Sequence, residues 1–145
     1  MKRISTVTIQ LIKEKSSLYQ SNVVNSPSDA FVIVNQYLEN VDREHFGILC
    51  LDTKNKVTAI HTVSIGSLNS SIVHPRELFK AAILANSNSI VLFHNHPSGD
   101  PTPSSEDITV TRRLTEAGTV MGIEVLNHVI VGDGRHISLK ERGVI

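Results

Sequence analysis

The chain has no excess of either charge. Fourteen Lys and Arg balance fourteen Asp and Glu over 145 residues, so net charge gives no general pull toward nucleic acid or an anionic membrane. No run of like charges is long enough to mark an interaction tail. Lys2, Arg3, Lys13 and Lys15 near the start, and Arg112, Arg113, Lys140 and Arg142 near the end, read as solvated surface. A single cysteine, Cys50, excludes an internal disulfide. Its apolar setting, HFGILCLDT, suits a buried thiol rather than an accessible nucleophile. No apolar run approaches the ~20 residues of a membrane-spanning helix, and STVTIQLIKEK is too interrupted for a signal peptide. A cytoplasmic location is the resulting expectation. Internal repeats and low-complexity tracts are also missing.

What is present is an ordinary globular composition, 40% hydrophobic and 19% charged, in a length that favours one domain with a real core. STVTIQLIK alternates Val7, Ile9 and Leu11 with polar residues and predicts a strand, followed by a connector to about residue 25. The strand could pair within its own sheet or with a second copy, which would make a homodimer. Ser26 and Pro27 predict a helix start, with Ala30, Val34, Tyr37 and Leu38 on one face. EHFGILCLDT and KVTAIHTVSIG predict a hairpin. HPRELFKAAILANS predicts a second helix with Leu78, Ala81, Ala82 and Ala85 inward, and His74 at its start. SIVLFHNHP predicts a short strand buried on both faces. SSEDITVTRRLTEAGTVMG predicts a third helix with a weaker face of Ile108, Thr111 or Arg112, Leu114 and Thr115, closed by Gly118 or Gly122. IEVLNHVIVGD and RHISLK predict two more strands around a GDG turn. The fold class is mixed α/β: a central mixed sheet packed by about three helices.

The chemistry concentrates in HNHPSGDPTPSSED, residues 94–107. A strand sends residues i and i+2 to one side, so His94 and His96 can meet one ion from a rigid support. Asp107, in the first turn of the following helix, is placed to be a third ligand. Two neutral histidines and one carboxylate suit Zn²⁺ with a fourth position open to water, the catalytic type of zinc site. Ser104-x-x-Asp107 is equally a helix capping box, and Asp near a helix N-terminus is favourable on dipole grounds alone. The spacing does not choose between ligand and cap. Asp100, in the turn, is a competing third ligand. Hydrolysis would also need a carboxylate to move protons; Glu39, Glu44, Glu77, Glu106 and Glu116 are candidates, and periodicity does not select one.

The motif resembles the metalloprotease signature of the JAB/MPN (JAMM) family: His94-Asn-His96, seven residues, then Ser104-Ser-Glu-Asp107. Together with REHFGILCLDTKNKV, HPRELFKAAILANS, LFHNHPSGDPTPSSEDI and LNHVIVGDG, it is similar to the RadC branch over about the last hundred residues. The resemblance implies a cytidine-deaminase-like JAB/MPN fold over residues 26–145, with residues 1–25 as an N-terminal strand and connector. It implies zinc held by His94, His96 and Asp107. It makes Glu44 the general base and acid, and Ser104 a catalytic residue that holds the water or stabilises the oxyanion. The implied activity is hydrolysis of peptide or isopeptide-like amides in a peptide or protein substrate. Two departures stand out. The first 25 or so residues are too short for the helix-hairpin-helix module that often precedes this domain, and Asn127 stands in LNH where RadC members commonly have Asp.

Other function classes compete with the hydrolase. A non-catalytic JAB adaptor, or a RadC-type protein associated with DNA repair, is the alternative; loss of Glu44 or of a ligand would favour an adaptor, and none is lost. No sequence feature points to nucleic acid. The string HNH does not make a nuclease, whose named residues are spread over a larger unit. A nucleobase deaminase would need P-C-x-x-C, which one cysteine cannot supply. His45, His61, His74, His128 and His136 receive no role.

Overall fold

A computed structural model of the chain describes residues 1–66 and 73–145. The elements run α1 (Pro27–Tyr37), β1 (His45–Leu51), β2 (Val57–Ile65), α2 (Pro75–Leu84), β3 (Ser89–Asn95), α3 (Ser105–Met121), β4 (Glu124–Gly132) and β5 (Arg135–Ser138). The five strands form one sheet in the order β2-β1-β3-β4-β5. Among the described residues the β3–β4 pairing is parallel and the other pairings are antiparallel. This is the mixed α/β architecture that the sequence predicts, with three helices among the described residues.

Alternation along the central strands divides the core in two. Ile48, Cys50, Ile90, Leu92 and Val125 face α2 and α3, where they meet Leu78, Phe79, Val110 and Leu114. Leu49, Leu51, Val91, Phe93, Val129 and Val131 face α1 and pack on Ala30, Ile33 and Val34. β3 is buried on both sides, as a central strand flanked by helices must be. Cys50 is buried in the first cluster, and that burial pushes its thiol pKa up, in keeping with a structural role.

The local stops and starts have identifiable causes. Ser26 caps α1 ahead of Pro27 by accepting from the Asp29 amide. His74 caps α2 ahead of Pro75, its Nδ1 accepting from the Arg76 amide. Gly122 closes α3 in the left-handed region at φ 71°. The β4–β5 turn places Asp133 and Gly134 at φ 49° and 70°, the positive values a tight hairpin of this type requires.

Two expectations are corrected. Residues 1–19 form no strand. Val7 and Ile9 stand 77% and 74% exposed; alternation alone makes no strand where no neighbouring ladder satisfies the backbone. The first bridge is Val23 to Lys56, at residue 23. On α3 the expected Thr111 and Leu114 do face inward, but they are joined by Asp107, Val110 and Gly118, while Ile108 and Thr115 are only half-buried and Arg112 is exposed. The helical period is intact, but two of its inward positions are polar because they serve the site described next.

Candidate metal centre

The site is built at the carboxyl end of β3. His94 pairs in register with Phe46 on β1 and with Ile130 on β4. It is wholly buried, under the ring of Phe46 at 5.8 Å between centroids. His96 lies two residues on, just past the strand, and its backbone N–H donates to the Val131 carbonyl at 2.8 Å. The two imidazole Nε2 atoms stand 2.9 Å apart.

Asp107 comes to them from α3. Its carboxylate oxygens lie 3.2 Å from His94 Nε2 and 3.1 Å from His96 Nε2. The capping box is present as well: Ser104 N–H donates to Asp107 Oδ2 at 2.8 Å, and Asp107 N–H donates to Ser104 Oγ at 3.1 Å. The two readings of S-x-x-D are therefore compatible, because the cap is what aims the carboxylate. Glu44 approaches from the other side. It precedes β1 by one residue, and continuing the β1–β3 register sets it opposite His96. Glu44, His94 and His96 each bring a ligand atom within 4.8 Å of the others. Asp100 contributes its backbone instead of its carboxylate: His96 Nδ1–H donates to the Asp100 carbonyl at 2.7 Å, while the Asp100 side chain turns to Thr102.

The charges respond to this crowding. Burial alone would raise the Asp107 carboxyl, but its contacts with the His94 and His96 rings and the Ser104 amide outweigh it. They hold Asp107 well below the usual carboxylate range. Asp107 in turn raises His96, against the opposing effect of burial. With Nδ1 of His96 committed to a carbonyl, Nε2 is the nitrogen free to bind, and it faces a second imidazole nitrogen and a carboxylate. That donor set, two imidazoles from the end of β3 and a carboxylate from α3, fits a zinc ion.

Three residues matter here that sequence reasoning passed over. Asn95, between the two histidines, points to the opposite side of β3 and bonds the backbone of residues 43–45. His128 on β4 sits 2.7 Å from His94 Nδ1 and is wholly buried. Burial, then the neighbouring His94, pushes it well below the usual imidazole range. Thr111 on α3 bonds His128 in turn. Asn95 is flanked by the histidines and His128 lies in the LNHVIVGDG stretch, but nothing local in the sequence tied His128 or Thr111 to the site.

The chain's match to known proteins agrees with this geometry. Residues 24–144 match the model of the RadC-like JAB domain. The chain is 63% identical over 123 residues to a UPF0758 protein of Desulfitobacterium hafniense, covering 85% of this chain and 54% of that protein. The chain belongs to the RadC-like JAB family. A UPF0758 protein of Caldanaerobacter subterraneus is 60% identical over 120 residues, 83% of this chain and 52% of its own length. One from Methanosarcina barkeri is 51% identical over 122 residues, 84% and 53%. This RadC-like chain thus spans about half the length of the curated relatives it matches.

Asn127 has a structural task in this JAB domain. Its Oδ1 accepts from the His128 N–H at 2.7 Å, the Ser138 hydroxyl at 3.0 Å and the Lys140 N–H at 3.1 Å. All three contacts go to an oxygen that Asp would also provide. No helix among the described residues is long and apolar enough to cross a membrane.

Proposed function

We propose that the protein is a zinc-dependent hydrolase of peptide or isopeptide-like amide bonds. His94, His96 and Asp107 would bind the metal, Glu44 would be the general base and acid, and Ser104 would assist the oxyanion. The observation that carries this reading is the convergence of His94 Nε2, His96 Nε2 and both Asp107 oxygens within 3.2 Å, with Glu44 at their side. A bound zinc would polarise the scissile carbonyl and bring the pKa of a water toward ~7. The Glu44 carboxylate would take a proton from the attacking water and return it to the leaving amine nitrogen. Ser104 Oγ already accepts the Asp107 amide, so its own proton is free to donate to an oxyanion.

The substrate class rests on the likeness of His94-x-His96 and Ser104-x-x-Asp107 to the JAMM signature and on the RadC-like JAB match. Elemental analysis of purified protein tests the reading, with His96→Ala and Glu44→Gln alongside. The expected result is one zinc per chain, lost in His96→Ala and kept in Glu44→Gln. Absence of zinc after reconstitution at neutral pH would sink the hydrolase and leave a JAB scaffold.

A further inference from the structure

A chain of hydrogen bonds runs behind the site from one proposed ligand to another. On α3, Thr111 Oγ donates to the Asp107 carbonyl at 2.6 Å. A hydroxyl has one proton, so toward His128 Nδ1 the same oxygen accepts. His128 Nδ1 therefore carries a hydrogen. The His128 ring is wholly buried, and neither of its two hydrogen-bond partners is a carboxylate, so it is held neutral. Its Nε2 then has a lone pair, which accepts from His94 Nδ1–H across 2.7 Å. The proton of His94 is fixed on Nδ1, and its Nε2 lone pair faces His96 and Asp107.

We propose that His128, oriented by Thr111, is a positioning residue that fixes the His94 tautomer so that Nε2 is presented to the metal. This rests on the metal-site reading above. The order of the chain matters: reversing the Thr111–His128 or the His128–His94 hydrogen bond would put a proton on the nitrogen that must bind. The arrangement has the form of the outer hydrogen bonds that set ring orientation and basicity of histidine ligands, with an imidazole where a carboxylate or carbonyl is usual. Its far end returns to the backbone of Asp107, so the orientations of two ligands on different elements are coupled. The rings of His94 and His128 lie 4.8 Å apart, both capped by Phe46 at 5.8 and 5.4 Å, which excludes water from competing for the link.

Thr111→Val removes the hydroxyl at nearly constant volume, and Thr111→Ser restores it. Long-range nitrogen–proton NMR of the histidine rings in chelator-treated protein reads the tautomers directly, and competition against a zinc chelator reads affinity. The expected result is a proton on His128 Nδ1 in the parent, its loss from that position in Thr111→Val, and zinc binding weaker by about 10–100-fold there. Thr111→Ser should restore both. A parent His128 protonated on Nε2, or a folded Thr111→Val that binds zinc as tightly as the parent, would overturn the proposal. If the parent binds no zinc, the metal-site reading falls, while the tautomer of His128 in the metal-free protein still decides the relay.

Discussion

Asn95 Oδ1 accepts a hydrogen bond from the His45 backbone N–H at 2.7 Å, and Asn95 Nδ2 donates to the Arg43 carbonyl at 3.0 Å. The residue between the two histidines thus grips the segment on either side of Glu44. The side chains of residues 94 and 96 build one face of the site, and residue 95 fixes the approach of the proposed base to it. Asn95→Ala should keep zinc and lower hydrolysis. A displacement of the base by about 1 Å costs on the order of 10²-fold in rate. Parallel zinc analysis and kcat/KM on any amide substrate found for the parent would check this. Unchanged kinetics would remove Asn95 from the account.

A second prediction concerns the loop after His96. A Cβ built at Gly132 would stand 2.8 Å from the Gly99 carbonyl oxygen and 3.2 Å from Pro101 N. Backbone packs on backbone there, and the same loop carries the Asp100 carbonyl that fixes His96. Gly132→Ala should push the loop outward, costing about 1–3 kcal/mol as other overpacked sites do, and should weaken zinc binding as well. Urea denaturation and chelator competition read the two effects. Stability lost with zinc affinity intact would mean that the loop does not hold His96.

The parts of this fold that were legible in sequence are those governed by neighbours along the chain. Ser26-Pro27, His74-Pro75 and Ser104-x-x-Asp107 announce helix starts because a cap acts across three residues or fewer. The H-x-H pair at a strand end is legible for the same reason. The N-terminal alternation misled because a strand needs a ladder partner, which local pattern does not supply. His128 and Thr111 were invisible as site residues because their meeting depends on β3 and β4 running parallel with α3 laid across them. His128 is 34 residues from His94 in sequence and 17 from Thr111. On α3 the polar Asp107 and Thr111 occupy inward positions, so an apolar stripe could not reveal the true face.

Asn127 yields a prediction about chemistry rather than charge. Because its three partners all donate to Oδ1, Asn127→Asp should leave stability within about 1 kcal/mol of the parent. Asn127→Leu should destabilise by several kcal/mol, since each buried donor left without a partner costs about 1–3 kcal/mol. Equilibrium unfolding in urea separates the two. A large loss in Asn127→Asp would show that the amide, and not the oxygen, is what the position requires.

The last prediction follows from the opposed shifts of Asp107 and His96 in metal-stripped protein. Asp107 is held below its unfolded range, so its contribution is present above ~3.9 and is lost as pH falls through the folded value. His96 is held above its unfolded value, so its contribution is full below ~6.5 and is lost as pH rises through the raised value. The ion pair therefore stabilises most between roughly pH 4 and 6.5. Asp107→Asn keeps an oxygen for the Ser104 amide and removes the charge. The stability difference between parent and Asp107→Asn should be greatest inside that window and shrink on both sides. His128, whose depressed pKa disfavours the fold as pH falls below ~6.5, acts in both proteins and largely cancels from the difference. Urea titrations of the chelated proteins from pH 3 to about 9 cover both limbs. A difference that stays flat across the range would mean that the carboxylate and the imidazole do not form an ion pair in the metal-free protein.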